Sequence, residues 1–154
     1  MKRVRLGRRR NKLPSICVDE HVSPEVASVF KRIFRTIEAS RWRKVKGRDE
    51  RDYFRQLFAA NTVFVTSDIE FSRYISDKRI KHAGVVYLPN RLEPGEKLTF
   101  AEIAAVFIRG GCRRNSSRAF NRCILYPAHD GVRLVRPRQG DELALSWAEL
   151  REDD

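Results

Sequence analysis

Two short apolar runs in this chain each end in acidic residues. Ile16-Cys17-Val18 passes straight into Asp19-Glu20, and Val63-Phe64-Val65 breaks into Thr66-Ser67-Asp68, with Glu70 two residues further on. Apolar, β-branched runs of this length make buried strands. In an open α/β sheet, ligands gather beyond the carboxyl ends of the strands. Carboxylates brought to such an edge from separate strands are the hard oxygen donors that hold Mg²⁺ or Mn²⁺. Ions held in this way clamp phosphate oxygens and activate water, so the expected chemistry is metal-dependent phosphodiester hydrolysis. Asp19, Asp68 and Glu70 are the candidate metal ligands, and the acidic turn Asp49-Glu50-Arg51-Asp52 offers Asp49 or Asp52 as a further catalytic acid.

Each acid also has a structural use. Ser67-x-x-Glu70 has the spacing of a capping box, Asp68 favours a helix dipole, and Asp49 with Asp52 resembles a capping pair. Asp19 and Asp68 stand apart from the rest. Both follow buried strands in a chain that is otherwise strongly basic.

The elements that must position these acids follow from pattern. Leu13 to Val18 reads as the first strand, and Ser23-Pro24-Glu25 opens a helix with a hydroxyl cap, proline in the first turn and an acid at the positive dipole end. Val26, Val29, Phe30 and Ile33 give that helix its apolar face. A short strand is expected over Phe34 to Ala39, then a helix from Asp49 carrying Phe54, Leu57 and Phe58 on one stripe and ending before Asn61. The third strand ends at Thr66, and a helix over Ile69 to Asp77 turns Phe71, Tyr74 and Ile75 inward. Gly84 to Leu88 is a fourth buried strand, and Thr99-Phe-Ala-Glu102 reads as a capping box opening a helix that stops at Gly110-Gly111. Strands alternating with amphipathic helices predict an α/β fold with a doubly wound, mostly parallel sheet flanked by helices.

After Gly111 the character changes. Cys123 to Tyr126 and Val132 to Val135 flank Ala128-His-Asp-Gly131, a hairpin signal, and Glu142 to Trp147 alternates like another short strand. The expected organisation is a basic arm over residues 1–13, a catalytic domain over 14–111, and a β-rich C-terminal extension over 112–154 packed on or beside it.

Charge narrows the partner. The 154 residues carry a net charge of +12, a field that favours a polyanion and speeds encounter with it. Arg8, Arg9 and Arg10 lie in the N-terminal arm; Arg41, Arg43, Lys44, Lys46 and Arg48 surround Trp42; Arg113 and Arg114 follow the double glycine. Basic residues hold the phosphate backbone, and an exposed aromatic among them stacks a base. Cys17, Cys112 and Cys123 form no Cys-x-x-Cys pair, which argues against a zinc ribbon, and three unpaired thiols fit a reducing compartment. No apolar run approaches a membrane span, and the basic N-terminus lacks the apolar segment of a secretory signal. A soluble cytoplasmic protein is expected.

Together these stretches resemble a known family. Ile16-Cys-Val-Asp-Glu-His-Val-Ser-Pro24 looks like the opening of PIN-like nuclease domains of the Asp-Glu-Asn type. Val63-Phe-Val-Thr-Ser-Asp-Ile-Glu-Phe71 is similar to that group's Thr-x-Asp-x-Asp-Phe motif, and His82-Ala-Gly-Val-Val-Tyr-Leu88 resembles its later strand. The resemblance covers about residues 14 to 110. It implies a PIN-like fold, Mg²⁺- or Mn²⁺-dependent RNA cleavage, and service as the toxin of a toxin–antitoxin pair, with a cognate antitoxin or a second copy of the chain as protein partner. By position, Asp19 is the first metal ligand, Asp68 the strand-end ligand, Glu70 the replacement for the family's second aspartate, and one of Asp49, Glu50 and Asp52 the helix-borne acid. His21 stands where the family has asparagine.

Two other readings share these residues. One is a non-catalytic nucleic-acid- or partner-binding module on a PIN-like scaffold, separated from the enzyme by its indifference to metal. The other is a phosphoreceiver-type domain, which has acids at the same strand ends but calls for a lysine after the final parallel strand; no such lysine is evident here.

Overall fold

A computed structural model describes residues 13–39, 50–68, 70, 80–136 and 141–146, with the backbone alone for Glu50, Arg51 and 141–146. Seven strands form one sheet: β1 (Ser15–Val18), β2 (Thr36–Glu38), β3 (Thr62–Thr66), β4 (Val85–Tyr87), β5 (Ile124–Ala128), β6 (Gly131–Arg136) and β7 (Asp141–Ser146). Their spatial order is β2-β1-β3-β4-β5-β6-β7. The first five are mutually parallel, and β6 and β7 continue the sheet antiparallel. The helices are α1 (Pro24–Lys31), α2 (Glu50–Ala59) and α3 (Pro94–Arg114).

Because side chains alternate along a strand, the central strands feed two apolar layers. Ile16, Val18, Val63, Val65, Val86, Leu88 and Leu125 point to one face, where α1 and α3 cover them with Val26, Phe30, Ala104 and Ile108. Cys17, Phe64, Val85 and Ile124 point to the other, where Tyr53, Phe54 and Leu57 of α2 pack. The rings of Tyr53, Phe54 and Phe64 meet edge to face there, and full burial of each such side chain contributes about 1.5–3 kcal/mol. Cys17 is an ordinary core residue, its Sγ 3.3 Å from the Tyr53 hydroxyl.

The connections are unequal. From β1 the chain steps outward to β2 through α1, and from β4 it steps the opposite way to β5 through α3, yet α1 and α3 share one face. Two crossovers on one face that step in opposite directions have opposite hands, so one of the pair is the uncommon left-handed form.

Several expectations need correction. The Thr99 capping box does not open a helix: α3 begins at Pro94, with Glu93 as N-cap and the Glu93 N–H donating to Glu96 Oε1 at 3.2 Å. Proline at the first helical position fixes the start there. Thr99 lies inside the helix, its hydroxyl donating to the Gly95 carbonyl at 3.1 Å. Nor does Gly110-Gly111 end it, because α3 runs on to Arg114. Gly111 serves packing instead: a Cβ there would lie 2.4 Å from Phe120 Cζ. The stretch after Gly111 contributes β5 as a fifth parallel strand of the same sheet before the expected hairpin turns at His129-Asp130. Of the helix expected over Ile69 to Asp77, Glu70 is helical and the rest lies outside the described residues. Among the described residues, no helix is long and apolar enough to cross a membrane.

Candidate active site

The sheet order places a topological switch beside β1. The chain leaves β1 for β2 on one side, and β3 lies on the other. At such a point the loops beyond the strands part and leave a crevice. Asp19 follows β1 directly, and Asp68 lies two residues beyond β3. Both line one pocket of about 390 Å³, with His21, Ser67, Tyr87, Pro89, Asn90 and Arg91.

The two acids are held differently. The Asp19 N–H donates to the Val65 carbonyl at 2.9 Å, extending the β1–β3 ladder past Val18. Asp19 as a residue is 3% exposed. Oδ1 accepts the Glu20 N–H at 2.8 Å, and Oδ2 accepts the Thr66 hydroxyl at 2.8 Å. Thr66 Oγ1 in turn accepts the Asp68 N–H at 3.1 Å, so one buried threonine is bonded to both acidic residues. Asp68 is exposed, and its Oδ1 accepts the Glu70 N–H at 2.9 Å. The bond from the Leu88 N–H to the Thr66 carbonyl, 2.9 Å, brings the end of β4 to the same edge. That is how Tyr87, Asn90 and Arg91 reach the pocket.

The remaining expected site residues fall elsewhere. Glu70 is exposed and does not line the pocket. Asp52 sits in the first turn of α2 with Arg55 Nη1 at 3.3 Å from its Oδ1, also outside the lining. Arg113 and Arg114 are exposed at the end of α3. Since α3 leaves the carboxyl end of β4 and returns to the amino end of β5, they sit at the sheet edge opposite Asp19. Arg8, Arg9, Arg10, Arg41, Trp42, Arg43, Lys44, Lys46, Arg48 and Asp49 lie outside the described residues.

Tyr87, Asn90 and Arg91 are site residues that the sequence pattern does not single out. A usable signal exists for the last of them, since Leu88-Pro-Asn-Arg91 follows a buried strand just as Asp19 and Asp68 do.

Among the described residues, no three His, Cys, Asp or Glu side chains converge as a metal-holding group. The pocket nonetheless offers an oxygen-rich donor set: two carboxylates, the Ser67 hydroxyl and the Asn90 carbonyl. Mg²⁺ is commonly bound through one or two carboxylates with water completing its shell, so these residues fit such an ion. A second groove, about 430 Å³ beside α1 and α3, is lined by residues including Glu25, Arg32 and Glu102, and brings no strand ends together.

No family model matches this chain, and no curated protein or solved structure matches it.

Proposed function

We propose that the pocket at the ends of β1, β3 and β4 is the active site of a metal-dependent ribonuclease with a PIN-like fold. The observation that carries this reading is the convergence of Asp19 and Asp68, from separate strands, on one pocket whose rim holds Arg91. A bound Mg²⁺ or Mn²⁺ would be held by Asp19 and Asp68 and would supply Lewis acidity and charge neutralisation at the phosphate.

The chain's own groups have distinct tasks. A carboxylate offers about four acceptor sites; one site on each oxygen of Asp19 is committed, which fixes the group and leaves the others for the ligand. Asp68 is tethered through Oδ1, which leaves Oδ2 as its oxygen most open to a ligand. Arg91 orients a phosphate through its planar fork of donors. The net charge of +12 draws the polyanion in. The role as toxin, and the antitoxin partner that goes with it, rest on the family resemblance alone. Metal-dependent cleavage of RNA, lost on substitution of Asp19 or Asp68 in a folded chain, tests the reading.

One observation favours a non-catalytic binding module: both oxygens of Asp19 already accept hydrogen bonds, as those of a purely structural carboxylate would. Such a module would bind RNA equally with and without metal. The order of the first five strands is compatible with phosphoryl acceptance at Asp68. That chemistry calls for a lysine beyond β5, where the chain has His129, paired with Glu96 Oε2 at 3.2 Å.

A further inference from the structure

Tyr87 lies in the wall of the acidic pocket. It is the last residue of β4, in register with Thr66, the threonine that binds Asp19. Its ring is braced from behind. Tyr126 of β5 meets it edge to face, centroids 6.0 Å apart at 69°, and the Arg133 guanidinium of β6 lies 4.8 Å over the Tyr126 ring. Tyr126 itself packs against the apolar layer formed by Phe64, Val85 and Ile124. Tyr87 is therefore half-buried and positioned by a neighbour that the core holds, with part of its surface left to the pocket.

Neither phosphate binding nor metal ligation needs an aromatic ring in that wall. A nucleobase has a use for one, because every base has a π-face and stacks on such a ring whatever its sequence. The pocket, at about 390 Å³, falls within the range of small-ligand sites. A base still paired in a duplex cannot present its face to a side chain in a pocket; it has to be unstacked first.

We propose that Tyr87 stacks an unpaired base next to the phosphate held at Arg91 and so is a substrate-positioning residue of this pocket. The inference rests on the nuclease reading for the identity of the ligand, but it concerns binding and is tested without catalysis.

The test is fluorescence anisotropy on the full chain in EDTA, with a labelled ten-nucleotide RNA strand and the matching duplex at one salt concentration. The variants are Tyr87→Phe, Tyr87→Leu and Tyr87→Ala. The unsubstituted chain is expected to prefer the single strand. Tyr87→Phe keeps the ring and should bind within about twofold of it, whereas Tyr87→Leu and Tyr87→Ala should weaken single-strand binding about tenfold or more and leave duplex binding unchanged. Leucine retains apolar bulk, so a loss shared by Leu and Ala but not Phe reports stacking instead of packing. Equal binding of strand and duplex, or single-strand binding in Tyr87→Leu as tight as in Tyr87→Phe, would overturn the proposal. Ring-dependent binding without metal-dependent cleavage would remove the nuclease and keep the stacking site; cleavage with no effect of the ring would do the reverse.

Discussion

Thr66 donates its hydroxyl proton to Asp19 Oδ2 across the β1–β3 junction at 2.8 Å, and the same hydroxyl oxygen accepts the Asp68 N–H at 3.1 Å. This side chain, 0% exposed, thereby sets the position of one acid and the backbone of the other. Thr66→Val keeps the shape and removes the hydroxyl. It leaves Asp19 Oδ2 buried without that donor and should cost about 2 kcal/mol, read as a lowered midpoint in urea unfolding. Thr66→Ser should recover most of it.

His82 supplies a pH dependence. It is 2% exposed, and its Nδ1 accepts the Gly84 N–H at 3.1 Å, so the neutral ring carries its proton on Nε2. Burial, then the nearby Arg122 charge, lowers its pKa from 6.5 to about 4. A depressed value means that the unfolded chain takes up the proton first. The contribution is whole above pH 6.5, falls away between 6.5 and 4, and is gone below. Its full size is about 3 kcal/mol by the usual conversion of a pKa difference. Stability measured from pH 7 to pH 4 should fall more steeply in the parent chain than in His82→Asn, which retains an acceptor but does not titrate.

Two glycines in α3 should respond with opposite signs. At Gly111 a new Cβ would meet Phe120 Cζ at 2.4 Å and Cε2 at 2.8 Å, and that ring is itself buried. Gly111→Ala should destabilise by about 1–3 kcal/mol. At Gly95 a Cβ meets nothing within 4 Å, so Gly95→Ala should stabilise by about 0.4–1 kcal/mol through the unfolded chain. Thermal unfolding of the two variants checks both.

The acids should rank. Asp19 and Asp68 line the pocket, while Glu70 is exposed outside it and is held to Asp68 through its backbone N–H. Glu70→Gln is therefore expected to keep far more cleavage than Asp19→Asn or Asp68→Asn in initial-rate comparisons at saturating Mg²⁺. A loss in Glu70→Gln equal to theirs would place its carboxylate among the working groups.

The features legible in the sequence are local ones. β1 and β3 announce themselves as β-branched runs, and each breaks at an aspartate, so Asp19 and Asp68 stand out from pattern alone. The start of α3 misleads because Pro94-Gly95 has the composition of a turn, while Thr99-x-x-Glu102 imitates a cap one turn and more inside the helix. Gly110-Gly111 imitates a stop, and its true use depends on Phe120, which reaches it from the following loop. Tyr87, Asn90 and Arg91 enter the pocket only because β4 lies next to β3 in the sheet. Strand order is a long-range property that no window of sequence carries. The double duty of Thr66 is hidden for the same reason.

The most direct test is cleavage of end-labelled single-stranded RNA by the full chain with Mg²⁺ or Mn²⁺, with EDTA, and with Asp19→Asn and Asp68→Asn variants shown to be folded by circular dichroism. The account predicts cutting that requires the metal and falls at least about a hundredfold in each variant. Cutting that survives EDTA or both substitutions would contradict it. So would tight, salt-sensitive binding with no cutting under any of these conditions.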